Sequence, residues 1–228
     1  ANRLEGGMLY TCGLDSPGGR EGYEQHGPHH NTPAKVTRAE CSKEGILIEA
    51  EISGTELFGK YLVFRRRVFS EVGSDTLEIS DTLENRGTRV ENYCLLYHDN
   101  VGYPMLDAGA QLVDDAEEAV PRTSWAARYA ESRREMKTPV PNEEEMCYFL
   151  KLKTPCVSVR NAALGKTFSL EWSGDTLPHF VEWKSLAEGD YALGLEPCTT
   201  ELDGKFRYRV IRAGEQIRFS LKMCVQSG

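Results

Sequence analysis

The sequence predicts an all-β protein, and three observations support this fold class. Short segments in which apolar and polar residues alternate recur along most of the 228 residues. Turns containing Gly, Pro, Asn or Asp separate these segments, so they are predicted to be strands. Helix-forming composition is confined to residues 107–145. Many strands with few helices indicate a sandwich or a barrel. We find no repeat or linker, so residues 1–228 are expected to form a single domain.

The amino-terminal part, residues 1–34, contains one clear predicted strand at 7–12, followed by a loop rich in Gly, Pro and His. A glycine-rich loop can bind phosphate, but neither GxxxxGK[ST] nor GxGxxG occurs here before a helix. The loop therefore gives no evidence for a nucleotide site. It does hold three of the five histidines, His26, His29 and His30.

From Gly45 onward the apolar residues follow a period of two, which predicts a meander of antiparallel strands. The predicted strands are 45–53, 61–72, 76–81, 82–87 and 91–98. Three consecutive arginines, Arg65 to Arg67, lie in the second of them. We expect them on a solvated sheet face rather than in an anion site.

Residues 107–145 interrupt the strand pattern. The segments 114–119 and 124–134 have the composition of helices, and Pro139 and Pro141 follow them. We expect a surface insertion with a short helix, although the same segment could equally form a lid.

Strands resume beyond this insertion and continue to the end of the chain. They are predicted at 147–152, 157–159, 167–172, 180–183, 191–195, 206–211 and 216–225. The last two form a predicted hairpin around the Gly-containing turn at 212–215.

Composition narrows the classes of partner. The net charge of −8 and the pI near 5.3 argue against binding to nucleic acid or an anionic membrane, since both need clustered Lys and Arg. No apolar run reaches the roughly 18 residues of a membrane span. The seven cysteines are odd in number and widely spaced, and the first residues lack the apolar core of a signal peptide. We therefore expect reduced thiols and a cytoplasmic protein. Neither CxxC nor HExxH occurs, which argues against a structural zinc site.

Two predicted strands end at side chains suited to acid–base chemistry. One ends at His98, and the other ends at Glu196, where Pro197 stops ladder pairing. Histidine titrates near neutral pH, and the pKa of a shielded glutamate rises toward the same range. Such a pair can remove one proton and donate another in the same step. Taken singly, His98 could be a histidine hydrogen-bonded in a core or turn, and Glu196 by itself would be a solvated carboxylate.

Neighbouring residues add two further expectations. Asp99 follows His98, so we expect its carboxylate to raise the pKa of the imidazole and favour the charged form. His29 and His30 are adjacent, so both can line one site only if the loop bends. Trp183 could form a stacking platform for a sugar or belong to the core.

The order of several short motifs resembles the aldose 1-epimerase (galactose mutarotase-like) superfamily. More closely, the chain is similar to an uncharacterised bacterial branch of that superfamily. The motifs are Thr11–Asp15, His26-Gly27 with Asn31–Ala34, Leu96–Pro104, Leu177–Lys184 and Gly194–Thr199.

The resemblance implies a galactose mutarotase-like β-supersandwich with a sugar in an open cleft on one sheet. It implies that Glu196 is the base that takes the proton of the anomeric hydroxyl and that His98 is the acid that protonates the ring oxygen. The substrate-binding residues it implies are His26, His30, Asn100, Trp183 and Lys184. No metal or organic cofactor is required by this chemistry.

The sequence thus leads to an aldose 1-epimerase (mutarotase) acting on a free sugar. Two alternatives stay open: a non-catalytic carbohydrate-binding protein, and an isomerase or lyase acting on an acidic or modified sugar. Exposed edge strands allow a homodimer. Because the chain is shorter than typical relatives, some amino-terminal strands are expected to be missing from residues 1–228.

Overall fold

The computed structural model describes residues 7–19, 22, 25–55, 57–202 and 207–227. The strands, in chain order, are β1 (Leu9–Gly13), β2 (Lys35–Cys41), β3 (Gly45–Thr55), β4 (Tyr61–Glu71), β5 (Thr76–Asn85), β6 (Glu91–Tyr93), β7 (Leu95–Val101), β8 (Gln111–Val113), β9 (Glu118–Pro121), β10 (Met146–Lys151), β11 (Cys156–Asn161), β12 (Lys166–Trp172), β13 (His179–Ser185), β14 (Ala192–Cys198), β15 (Arg209–Ile211) and β16 (Gln216–Ser227). The described residues also contain one helix, α1 (Ser124–Arg128), and one 3-10 turn (His29–Asn31).

Two antiparallel sheets dominate the architecture. The first sheet has the strand order β1-β7-β14-β13-β10-β9, and the second has the order β2-β3-β4-β5-β16-β12-β11-β8. A further pair, β6 and β15, stands apart from both. The predicted all-β sandwich is therefore confirmed.

The main core lies between the two sheets. Leu62 and Leu83 of the second sheet belong to one buried apolar cluster with Tyr97 and Leu195 of the first. Side chains alternate between the faces of a strand, so the chain neighbours of Tyr97 and Leu195 point to the outer face of the first sheet. A smaller apolar cluster, which includes Leu96, covers that outer face.

A polar group also joins the two sheets inside the sandwich. Arg66 of β4 pairs with Asp81 of β5 at 2.6 Å, and the hydroxyl of Tyr97 in β7 donates to the same carboxylate at 2.7 Å. The expectation of a solvated face is therefore wrong for Arg66. Strand alternation turns this arginine inward between Arg65 and Arg67.

The insertion differs most from the prediction. Residues 114–119 were expected to be helical, but β9 begins at Glu118 and pairs with β10. The predicted helix at 124–134 is confirmed only over the five residues of α1, where the hydroxyl of Thr123 caps the backbone N–H of Ala126. Tertiary pairing with β10 overrides the local preference for helix in this segment.

Most other predicted strands are confirmed within a few residues, whereas β2, β8 and β9 were not predicted. The predicted strand at 206–211 starts at a position outside the described residues, and β15 covers its second half. All seven cysteines lie among the described residues and stay outside disulfides, and four of them are buried. Among the described residues, no helix combines the length and apolarity needed to cross a membrane.

Candidate functional site

Three neighbouring strands of the first sheet, β1, β7 and β14, place Tyr10, His98 and Glu196 in one row. Tyr10 of β1 pairs with His98 of β7. The register that pairs Leu195 with Asp99 sets Glu196 of β14 opposite His98. All these side chains point to the outer face, away from the main core. Two positions far apart in sequence are thus adjacent because β7 and β14 are hydrogen-bonded neighbours.

His98 and Glu196 are in direct contact. His98 Nε2 lies 3.0 Å from Glu196 Oε1, and the two side chains are only 8% and 6% exposed. The contact is close but is not aligned as a hydrogen bond. Among the described residues, neither His98 Nδ1 nor Glu196 Oε1 has a hydrogen-bond partner. Buried polar atoms without partners are uncommon, and a polar ligand would satisfy them.

Burial controls the protonation of both groups. It lowers the pKa of His98 to about 4, and nearby His26 adds to this effect. Burial also raises the pKa of Glu196 to about 8, which nearby Arg122 opposes and Glu145 reinforces. Contact would favour the ionised pair, but desolvation dominates and favours the neutral forms. In either distribution the pair holds one proton between pH 4 and pH 8.

The expectation for Asp99 is wrong. Its side chain lies on the opposite face of β7 from His98, buried between the sheets, and its own pKa is raised well above the usual range by burial. The pKa of His98 is lowered, not raised. Adjacent residues in a strand point to opposite faces, which explains the error.

A glycine leaves room for the pair. Gly194 precedes Glu196 by two positions in β14 and therefore lies on the same face. A Cβ atom at Gly194 would lie 2.6 Å from Glu196 Oε1 and 3.0 Å from His98 Cε1. The absence of a side chain here lets the carboxylate and the imidazole meet.

Thiols form part of the apolar surroundings of the pair. Cys12, Cys147 and Cys198 belong to the outer-face cluster, and the negative charge of Glu196 contributes to the raised pKa of each thiol. Burial is the main cause in all three cases. These cysteines therefore act as apolar, uncharged surroundings that strengthen the desolvation of Glu196.

The histidine loop lies beside the pair. The ring of His26 is 5.9 Å from the ring of His98, centroid to centroid. His26 Nδ1 lies 3.0 Å from the carbonyl oxygen of Pro17. A carbonyl can only accept, so Nδ1 carries the proton. Burial lowers the pKa of His26, so the neutral ring presents Nε2 as an acceptor.

The adjacent residues His29 and His30 point in different directions, and only His30 lies at the site. The 3-10 turn places His30 with its ring 6.4 Å from that of His26 and 6.1 Å from that of Tyr10. His29 is buried and packs its ring against Phe64 at 4.7 Å. Burial lowers its pKa to about 3.

On the β13 side the site is bounded by the Trp183 ring, with Glu145 and Arg122 at its edge. The Trp183 ring is 5.7 Å from that of His98, and its Nε1 donates to Glu145 Oε2 at 2.7 Å. The other oxygen of Glu145 pairs with Arg122. Sequence analysis identified Trp183 but missed Glu145 and Arg122, because neither lies in a recognisable motif.

Two other predicted binding residues differ in their placement. Asn100 is on the outer face of β7, and its amide donates to the backbone oxygens of Gly7 and His98. Lys184 lies on the inner face of β13, only 1% exposed, and donates to the backbone oxygen of Arg133. The structure thus brings together His26, His30, His98, Trp183 and Glu196, with Asn100 nearby, but not Lys184.

Two pockets lie close to these residues. A pocket of about 290 Å³ adjoins Tyr10 and His30 and reaches Arg66 between the sheets. A larger, mostly apolar pocket of about 630 Å³ lies at the far end of β7, around Tyr103. His98 and Glu196 line neither pocket. The candidate site is therefore identified from its side chains and their contacts, not from a cavity. In the described part of the chain, no group of three or more His, Cys, Asp or Glu side chains is arranged to hold a metal ion.

Solved structures with the same fold are found in several bacteria. A candidate aldose 1-epimerase from Klebsiella pneumoniae has a TM-score of 0.86 and 22% identity over 96% of this chain. A galactose mutarotase-like protein from Clostridium acetobutylicum has a TM-score of 0.73 and 12% identity, again over 96% of this chain and 79% of its own. The present chain spans 62% of the Klebsiella protein.

Sequence comparison gives the family. No curated protein has a significantly similar sequence. The family model described as a domain of unknown function, DUF4432, matches residues 1–223. Its match covers nearly the whole chain, and the fold is that of galactose mutarotase-like proteins. The chain therefore belongs to the DUF4432 family.

Proposed function

We propose that this protein interconverts the α and β anomers of a free sugar by general acid–base catalysis at His98 and Glu196. The observation that carries the proposal is the 3.0 Å contact between His98 Nε2 and Glu196 Oε1, both of them buried. Solved structures of this fold, described as a candidate aldose 1-epimerase and as mutarotase-like, support it.

Anomer exchange needs one proton removed and another supplied. Glu196 takes the proton of the anomeric hydroxyl while His98 protonates the ring oxygen, so the C1–ring oxygen bond breaks and an aldehyde forms. The C1–C2 bond then rotates. Reversal of the two transfers closes the ring on the other face and returns both protons. No proton is gained or lost overall, so the chemistry requires only the pair.

Ligand binding supplies the charge distribution that this step needs. Burial alone favours the proton on Glu196. A hydroxyl that donates to Oε1 stabilises the carboxylate, and a ring oxygen that accepts from His98 stabilises the imidazolium. The atoms that lack partners, Oε1 of Glu196 and Nδ1 of His98, are available for these bonds.

The surrounding residues suit a polyhydroxylated ligand. Nε2 of His26 is an acceptor for a sugar hydroxyl, and the Trp183 ring offers an apolar face to the C–H side of a sugar. Lys184 has no part in this proposal because its ammonium is buried on the other face of β13.

The test is NMR exchange between anomers for a panel of neutral, acidic and phosphorylated sugars, with native protein and Glu196→Gln. We expect the native protein to accelerate exchange of at least one sugar. The variant should lose about 10²–10⁴-fold in rate, the usual contribution of a general base. Because Gln keeps the size and hydrogen-bonding capacity of the side chain, binding should persist.

A different result would favour the second candidate, a non-catalytic sugar-binding protein. Line broadening of a sugar without any acceleration by the native protein would show binding alone. In that case the unpartnered polar atoms of the site would serve recognition, and the acid–base proposal would be wrong.

A further inference from the structure

Three side chains form a linked group at the edge of the site: Arg122, Glu145 and Trp183, called here the rim cluster. Glu145 uses both carboxylate oxygens within it. Oε2 accepts from the Trp183 indole at 2.7 Å, and Oε1 pairs with the Arg122 guanidinium. One carboxylate thus joins an aromatic ring and a cation.

The sheet itself fixes the location of the rim cluster. The backbone N–H of Arg122 donates to the carbonyl of Cys147 at 2.9 Å, and Cys147 pairs with Trp183 in the register of β10 and β13. Trp183 pairs in turn with Gly194 of β14. The cluster therefore occupies the row of the sheet next to the row that holds His98 and Glu196.

Stability does not explain the arrangement. The side chains of Arg122 and Glu145 are 43% and 48% exposed, and ion pairs this exposed contribute little to folding. The indole hydrogen bond has a clearer consequence, because it restrains a large ring beside the reacting groups. The other edge of the ring, at Cε3, lies 3.3 Å from the position that a Cβ on Gly194 would take.

We propose that Glu145 is a positioning residue that holds the Trp183 indole as one wall of the sugar site and thereby sets the affinity for the sugar. This inference rests on the proposed function, since it assigns a role in binding the same ligand. Glu145 acts through the ring, so it need not touch the sugar itself.

Glu145 can act on the site through its charge or through the position of the indole. The two effects change different measured quantities. Its charge raises the pKa of Glu196, whereas the charge of Arg122 lowers it. A purely electrostatic role would therefore appear as a shift of the pH profile in Glu145→Gln. A positioning role appears as a weaker sugar affinity in Glu145→Ala that Gln largely restores, because its amide oxygen can still accept from the indole.

The first part of the test follows the indole directly. The protein has three tryptophans, and Trp183→Phe identifies the Trp183 Nε1–H signal in a ¹H–¹⁵N spectrum. We expect this signal to move and to exchange faster with water in Glu145→Ala. Glu144→Ala is the matched control, since only the backbone oxygen of Glu144 binds an indole, that of Trp125.

The second part measures sugar affinity by NMR titration, with the sugar that binds the native protein. Glu145→Ala should weaken binding about tenfold, equivalent to about 1.4 kcal/mol. KM should rise more than kcat falls. In the Trp183→Phe background the same substitution should change affinity less than twofold, because the hydrogen bond is already absent.

Two outcomes would overturn the inference. Unchanged affinity in Glu145→Ala would show that the wall does not depend on Glu145, and additive losses in the double variant would show that Glu145 acts by another route. A native protein that binds no sugar of the panel would instead refute the proposed function. The role of Glu145 and Trp183 in sugar binding would then be refuted as well.

Discussion

His98 and Glu196 owe their properties to where they are buried. Cys12, Cys147 and Cys198 lie in the apolar cluster on the same face, and burial lowers the pKa of His98 to about 4 and raises that of Glu196 to about 8. A pair with separated pKa values holds one proton over the whole neutral range. This single proton is the feature on which general acid–base catalysis depends.

Gly194 is the residue whose substitution should separate activity from stability. In Gly194→Ala the new Cβ would lie 2.6 Å from Glu196 Oε1, so the carboxylate must move away from His98. We expect the anomer exchange rate to fall by about 10²-fold, the order expected for a displacement of about 1 Å at a reacting group. The free energy of unfolding in urea should fall by only about 1–3 kcal/mol.

The matched control is Gly54→Ala, also within a strand. A Cβ at Gly54 meets only the Leu62 backbone oxygen, at an ordinary 3.7 Å. We expect native exchange rates in this control. Full activity in Gly194→Ala would contradict the account of how the pair is accommodated.

At this scale the sequence predicts residue type better than orientation. His98, Glu196 and Trp183 come together as expected, yet Lys184 and Asp99 do not join them. The period of a strand explains both failures, since Lys184 follows Trp183 and Asp99 follows His98 on the opposite face. Contacts made across the sheet, such as that of Glu145 with Trp183, leave no sequence pattern and could not be predicted.

Among the elements, β13 is stabilised by buried ion pairs on its inner face. On its inner face Glu182 pairs with Arg133 at 2.7 Å and with Lys184 at 3.2 Å. Arg133 also binds Asp114 at 2.8 Å, and so ties the insertion to the strand that carries Trp183. The insertion is therefore anchored to the sheet, which argues against a freely moving lid.

Arg133→Ala should measure the strength of this anchor. The side chains of Asp114 and Glu182 are both 0% exposed, so the substitution would leave buried carboxylates with fewer cations. We expect a loss of about 3–5 kcal/mol in the free energy of unfolding measured in urea.

A neighbouring arginine provides the comparison for that experiment. Arg134 binds the same carboxylate, Asp114, but its side chain is 49% exposed. Arg134→Ala should cost only about 0–1 kcal/mol. Equal losses in the two variants would mean that burial of the ion pair does not determine its contribution.

Element prediction succeeded where one face of a strand is buried and failed where it is not. All seven residues of β2 are exposed, so no alternating apolar pattern marks it. β9 has a composition that also suits a helix, and pairing with β10 decides its state. The local sequence therefore reveals neither the fully exposed strand β2 nor the pairing that makes β9 a strand.

For the molecule as a whole, the strand pattern predicted a sandwich but not its strand order. Sheet neighbours such as β1 and β7, or β5 and β16, are distant in sequence. Motif order predicted a galactose mutarotase-like fold, and the solved structures confirm that fold. The chain spans 62% of the Klebsiella protein. The catalytic proposal therefore applies only to the site that the described residues of this chain form.

The most direct test of the central claim is the pH dependence of anomer exchange, corrected for the uncatalysed rate. Below pH 4 His98 takes up a second proton and the pair cannot accept another. Above pH 8 Glu196 loses its proton and the pair cannot donate. We predict a bell-shaped profile with limbs near pH 4 and pH 8, in protein shown by circular dichroism to remain folded. An enzymatic rate that stays constant from pH 6 to pH 10, or that survives in Glu196→Gln, would contradict the claim.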